Sequence, residues 1–257
     1  SGCQALNQGQ FPQNICSNTQ YGLGLVAMSA LFNNGYNIPR NKVQAIFKDL
    51  YGVTLNEQTL QAQNELVYAC LAQDEAHIKA KLRQSEVVHY DETGFYVGRE
   101  RYWEHVASNE HYTSLFVSPH RGAAAHEGPD SILPGFQNWA MHDCWPTYFN
   151  FTECRHAVCG AHLLRELTAL KEAGSVWANT FHAFLSELYT RSDHGNAMIP
   201  LEQHAQVQTK YQTLLQQADK EEPPPRHNPR GKPTKTKGRN LLDRLTKYED
   251  AVLAFAF

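Results

Sequence analysis

Val87-Val88-His89-Tyr90-Asp91-Glu92-Thr93-Gly94 is the stretch on which the fold turns. β-Branched and aromatic residues lead into an acid, and the same texture continues to Val97, so residues 87–97 predict a strand with Asp91 at the end of its apolar approach. Residues 101–108 and 112–118 alternate or run apolar with turn residues between them, which predicts three successive antiparallel strands. Residues 135–141 predict the approach to a fourth strand, ending at His142-Asp143. Two aspartates, Asp91 and Asp143, thus stand at the ends of separate strands and can meet at the rim of one sheet. Paired carboxylates are hard oxygen ligands suited to Mg²⁺ or Mn²⁺, and two ions roughly 4 Å apart stabilise attacking and leaving phosphate oxygens. From spacing alone, the alternative is that each aspartate is a turn or cap residue.

Outward toward the start, residues 1–17 are polar, rich in Gln and Asn, and without a period. Residues 21–33 place Leu23, Leu25, Val26, Met28, Leu31 and Phe32 to bury one side of a helix. Pro39 fits a turn, and residues 41–51 repeat apolar side chains at Val43, Ile46, Phe47 and Leu50. Gly52 suits the left-handed position past that helix, and Asn56 suits the N-cap of a helix running through Leu60 and Leu66 toward Leu82. Short helices joined by a Gly-containing turn have the outline of a helix-turn-helix or of an ordinary helical hairpin.

Outward toward the end, residues 156–173, 176–190 and 201–219 predict helices. Pro223-Pro224-Pro225 breaks the pattern, followed by Arg226, Arg230, Lys232, Lys235, Lys237 and Arg239 with no acid among them. A Pro-rich basic stretch forms no packed structure by itself. It either neutralises DNA phosphates, with steep salt dependence, or is a solvated linker. The lack of interleaved aromatics argues against a stacking platform for single strands. Residues 241–257 resume a helical period.

With 257 residues, 42% of them hydrophobic, the chain can build one large or two modest domains. A net charge of −3 argues against a non-specific DNA coat, but not against a DNA enzyme with local basic patches. No apolar run approaches the roughly 18 residues of a membrane span, and no export signal is recognisable, so the expectation is a reduced cytoplasmic protein. Among its six cysteines, Cys154 and Cys159 join His156 and His162 to give four zinc-type ligands in nine residues. Ligands so dense on one helix rarely close a tetrahedron. The favoured reading is a helix beside the sheet, with His162 and Arg165 near substrate phosphate. His89 and His142 flank the aspartates and either orient metal ligands through hydrogen bonds or are satisfied strand histidines. Arg121, after Pro119-His120 at a strand end, is a candidate phosphate contact or a solvated turn residue.

Longer words sharpen these alternatives. His89-Tyr90-Asp91-Glu92-Thr93-Gly94 with Arg101-Tyr102-Trp103-Glu104-His105-Val106-Ala107-Ser108 forms one block. A second comprises Ile132-Leu133-Pro134-Gly135-Phe136, His142-Asp143-Cys144-Trp145, Tyr148-Phe149 and Cys154-Arg155-His156-Ala157-Val158-Cys159-Gly160-Ala161-His162-Leu163-Leu164-Arg165-Glu166-Leu167. With Gln20-Tyr21-Gly22 and Gly238-Arg239-Asn240-Leu241-Leu242, they resemble insertion sequence 66 family transposases over nearly the whole chain.

The resemblance implies an α/β fold: a ribonuclease-H-like mixed sheet flanked by helices, preceded by a helix-turn-helix-like block and carrying a helical insertion after the second aspartate. It implies DNA cleavage and strand transfer at the ends of a bacterial mobile element, on the nucleoid, by a two-metal mechanism using Mg²⁺ or Mn²⁺. Asp91 would serve both metals and Asp143 complete one of them. The implied partners are double-stranded DNA, as terminal inverted repeats and target, and further copies of the chain. Residues 1–18 are read as the remnant of an upstream zinc module, 19–84 as a helical DNA-binding block and 85–257 as the catalytic core. Cys3 would be an orphan zinc ligand, completed only by residues upstream. The family's third carboxylate, a Glu in an Asn- and Arg-flanked helix, follows the segment around Leu253, and the chain stops at Phe257. Glu249 is not its equivalent, and Glu166 is read as accessory. The sequence is therefore expected to be truncated at both ends and to have little transposase activity by itself. The alternative is a non-catalytic DNA-binding remnant or inhibitor of the full-length enzyme. A nuclease of the same fold unrelated to transposition is a third reading, disfavoured by the helical block and the insertion.

Overall fold

The computed structural model describes residues 21–229 and 231–257, and the chain divides into two compact units that part between Ala76 and His77. The proposed zinc-module remnant, with Cys3, and the basic residue Arg230 lie outside the described residues.

The first unit is helical: α1 (Leu23–Ala30), running into a π turn at Leu31–Gly35, then α2 (Arg40–Tyr51), α3 (Glu57–Cys70) and the start of α4 (Ala72–Arg83). Val43, Phe47, Leu55 and Leu60 form its core. The local signals act as the sequence predicts. Gly52 ends α2 at φ 67°, where a side chain would be strained, and returns its N–H to Lys48 O at 3.0 Å. The Asn56 Oδ1 accepts the Thr59 N–H at 2.7 Å and so caps α3. Between α1 and α3, the buried Ser29 hydroxyl donates to Gln63 Oε1 at 2.6 Å.

The second unit is built on a sheet of β1 (Val87–Val97), β2 (Glu100–Ser108), β3 (Thr113–Ser118), β4 (Trp139–His142) and β5 (Arg155–Val158). Helix α5 (Ala123–His126) lies between β3 and β4 in sequence. After β5 come α6 (Gly160–Glu172), α7 (Val176–Arg191), α8 (Leu201–Glu221), α9 (Lys237–Lys247) and α10 (Glu249–Leu253). Strand order is β3-β2-β1-β4-β5. The first three strands pair antiparallel, and β4 then β5 add in parallel to β1. This mixed sheet flanked by helices has the ribonuclease-H-like arrangement. The β1–β2 hairpin closes on a two-residue turn in which Gly98 takes φ 62°, as such turns demand.

Alternation sorts each strand into two faces. Val88, Tyr90 and Ala140 face one way and pack with Ile132, Leu133, Phe136, Tyr148 and Leu82, the last from the end of α4. The other large core is helical: Leu163 and Leu167 of α6, Phe181 and Leu188 of α7, Tyr211 of α8, Leu241 and Leu245 of α9 and Val252 of α10 meet Val158 and Cys144. Each such fully buried side chain contributes about 1.5–3 kcal/mol. Among the described residues no helix is long and apolar enough to cross a membrane.

Three local expectations are corrected. Strand β1 spans Val87–Val97 as expected, but Asp91 lies in its middle and not at a strand end, because β2 pairs with it from His89 to Val97. Residues 156–158 are strand, not the first turn of a helix: His156 and Val158 pair with Ala140 and His142, and α6 begins only at Gly160. The basic stretch is not structureless either. Arg226 and Thr234 exchange backbone hydrogen bonds of 2.9 and 3.0 Å that close it into a loop.

Candidate active site

The sheet register places the two aspartates. Val87, Val88 and His89 of β1 stand beside Trp139, Ala140 and Met141 of β4. Asp91 lies two residues past that pairing on β1 and Asp143 follows β4 directly, so both stand at the same end of two parallel neighbours. Parallel neighbours run roughly 4.8 Å apart. Asp91 is exposed, its Oδ1 accepting the Glu92 N–H at 2.9 Å.

Asp143 is the first residue past β4, in a tight turn where Cys144 adopts φ 71°. Side chains hold that turn. Asp143 Oδ1 accepts the Trp145 N–H at 2.9 Å, and His142 Nδ1 accepts the Cys144 N–H at 3.1 Å. With Nδ1 accepting, the His142 proton sits on Nε2 and is donated to His156 Nδ1 at 3.1 Å; His156 Nε2 in turn donates to Phe151 O at 3.2 Å. Tautomers assigned from this network leave both rings neutral. Burial, and then His156 and His126 nearby, push the His142 imidazole down to about 3. The ring also stacks on Tyr148 at 4.5 Å. His142 is thus a satisfied strand histidine that shapes the Asp143 turn.

Glu92 follows Asp91 and therefore points to the opposite face, where its side chain is fully buried. Its Oε2 accepts the Tyr148 hydroxyl at 2.6 Å and its Oε1 accepts Arg121 Nε–H at 2.8 Å. A terminal nitrogen of Arg121 lies 3.6 Å from Asp143 Oδ2. The guanidinium sits 4.1 Å above the Trp145 ring and 5.0 Å from that of Trp103, within cation–π range. Arg121, a candidate phosphate contact, is therefore engaged by Glu92 and the two rings while part of its side chain stays exposed. Sequence reasoning passed over Glu92, Tyr148 and the two tryptophans. One signal was there: an acid directly after an outward-facing strand residue must face inward, where a charge needs a partner.

The other candidates are scattered. His89 shares the Asp91 face and is exposed. His162 and Arg165 lie on α6; the Arg165 Nε–H turns back to Ala161 O at 3.3 Å. Glu166 accepts a hydrogen bond from Arg244 of α9. The Cys154 thiol donates to Phe151 O at 3.1 Å and lies 3.8 Å from His156 Nε2, but Cys154, His156, Cys159 and His162 do not form one ligand cluster. Among the described residues no three His, Cys, Asp or Glu side chains cluster to hold a metal. Of the basic stretch, Arg226, Lys232 and Lys237 are exposed. Lys235 pairs with Asp243 at 2.5 Å. Arg239 is corrected as a phosphate contact: it is buried, pairs with Asp219 at 2.5 Å and donates to Pro223 O at 3.2 Å, closing the end of α8.

A family model described as Transposase IS66 family matches residues 18–256. No curated protein and no solved structure matches the chain.

Proposed function

The chain belongs to the Transposase IS66 family, and from that premise we propose that it transfers phosphoryl groups in DNA transposition, with Asp91 and Asp143 as its metal-binding carboxylates. The observation that supports this reading is the parallel pairing of β1 with β4, after which Asp91 and Asp143 follow at the same end of neighbouring strands. The donor set suits Mg²⁺ or Mn²⁺, since hard oxygen is the preferred ligand and one or two carboxylates with substrate phosphates commonly suffice. Bound there, the cations supply charge opposite the phosphoryl oxygens and a template for in-line attack. The chain's own part is orientation. The Cys144–Trp145 turn holds one carboxylate, and the pairing of Asp91 with Val106 of β2 holds the backbone of the other.

The substrate in this reading is double-stranded DNA, as terminal repeats and target, held by self-associated copies of the chain. Arg226, Lys232 and Lys237, with Arg230, offer charge to its phosphates. The helical block of residues 19–84 adds a second DNA contact, and residues 85–257 are the catalytic core. A second reading is a non-catalytic DNA-binding role, in which the chain occupies the element's ends and competes with active copies of the enzyme; the exposed Arg226, Lys232 and Lys237 serve this reading as well.

Cleavage and strand transfer on DNA carrying the element's ends, with Mg²⁺, separate the two. The enzyme reading expects activity that Asp91→Asn and Asp143→Asn each abolish while circular dichroism stays unchanged. Retained cleavage in either variant sinks the assignment of the carboxylates. End-specific binding by the unsubstituted chain without cleavage favours the second reading.

A further inference from the structure

We propose that Glu92 and Arg121 act as a neutral pair that positions Asp143 and sets its affinity for a divalent cation. This rests on the metal-site reading of Asp91 and Asp143. Glu92 and Arg121 are positioning residues, acting through Asp143.

The distances show where the guanidinium is committed. At 2.8 Å the Arg121–Glu92 contact is a hydrogen bond, whereas the 3.6 Å approach to Asp143 Oδ2 is beyond one and purely electrostatic. Arg121 thus braces Asp143 without occupying its oxygen. The two tryptophan rings keep it from swinging further. Glu92 reaches the same turn by a second route. Its other oxygen holds the Tyr148 hydroxyl, and the Tyr148 ring stacks on His142, the residue before Asp143.

Charge gives the pair its consequence. Glu92 and Arg121 sum to zero, so the carboxylate of Asp143 keeps its full charge for a cation. Without Glu92, an uncompensated guanidinium would stand at Asp143 and compete with any metal. Glu92 is fully buried, whereas the Arg121 side chain is 31% exposed and that of Asp143 21%, so the buried negative charge backs a positive charge that lies at the open side of the site.

Mn²⁺ titration followed by electron paramagnetic resonance tests this, on the unsubstituted chain and on E92Q, R121Q and the double variant. One unit charge roughly 10 Å from a divalent cation, at an effective dielectric of about 20 and weakened further by salt at this partly open site, changes cation affinity by at least about tenfold. E92Q is therefore expected to bind Mn²⁺ about tenfold more weakly, R121Q more tightly, and the double variant close to the unsubstituted chain. A merely structural role would weaken all three together, in step with their stability. That pattern, or an E92Q affinity equal to the original, overturns the proposal. If E92Q fails to fold, R121Q must still bind about tenfold more tightly than the double variant, and equality there overturns it. D91N and D143N serve as controls. If neither lowers Mn²⁺ binding, the metal-site reading itself fails and takes this proposal with it. If they do and E92Q does not, only this proposal fails.

Discussion

Replacing Tyr148 with Phe removes one oxygen from the middle of the second unit, and the cost can be worked from its surroundings. Tyr148 is fully buried, and its hydroxyl donates at 2.6 Å to a carboxylate that is itself fully buried. A hydrogen bond to a charged group contributes about 1.5–3 kcal/mol, and a buried acceptor left short adds its desolvation. Arg121 remains on the other oxygen and is partly exposed, which screens the loss toward the lower half of that range. The ring itself is retained, so its packing against Tyr90 and His142 is not lost. Tyr148→Phe should therefore destabilise the second unit by about 2 kcal/mol, equivalent to roughly 4–8 °C in Tm for a unit of this size. Urea unfolding followed by tryptophan fluorescence isolates that unit, because Trp103, Trp139, Trp145 and Trp177 all lie beyond Ala76. A midpoint shift worth less than about 0.5 kcal/mol, within ordinary surface-substitution scatter, would refute the idea that Glu92 depends on this hydroxyl.

Acid should loosen the same unit. Burial pushes His142 down to about 3 and His126 to about 4. Both imidazoles thus stay neutral when folded and protonate near 6.5 when unfolded. Stability is then present above about 6.5 and falls as pH drops toward 4, by roughly 1.4 kcal/mol per pH unit for each histidine. A urea midpoint that is flat between pH 6.5 and 4.5 would contradict the assignment of neutral rings. In the basic stretch, Lys232→Ala should lower the slope of log K against log salt by about 1 in DNA binding. Arg239→Met should leave that slope alone and cost about 1–3 kcal/mol of stability through the hydrogen bonds it makes at the end of α8. The reverse pattern would return Arg239 to the DNA-binding surface.

What could be read locally was read well. The Gly52 and Asn56 caps depend on backbone geometry within one turn, so residue type alone decides them. The three antiparallel strands follow from alternation and short turns, because each pairs with its neighbour in sequence. The longer words around Asp91 and Asp143 identified the family, and the matching model confirms it over residues 18–256.

Strand β5 could not be read in this way. Its four residues lead straight into the helical period of α6, and only pairing with β4, contributed from earlier in the chain, keeps His156 and Val158 extended. Arg121 and Arg239 show the same division. A basic residue near a strand end or in a Pro-rich run suggests solvent or phosphate, yet Glu92 and Asp219, distant in sequence, claim both guanidiniums. The sequence by itself determined the fold class, the strand that carries Asp91 and the pairing of two aspartates as candidates. Tertiary structure decided that their strands are parallel neighbours and what stands behind them. Register and charge pairing are long-range: they arise only when strands or helices far apart in the chain come into contact.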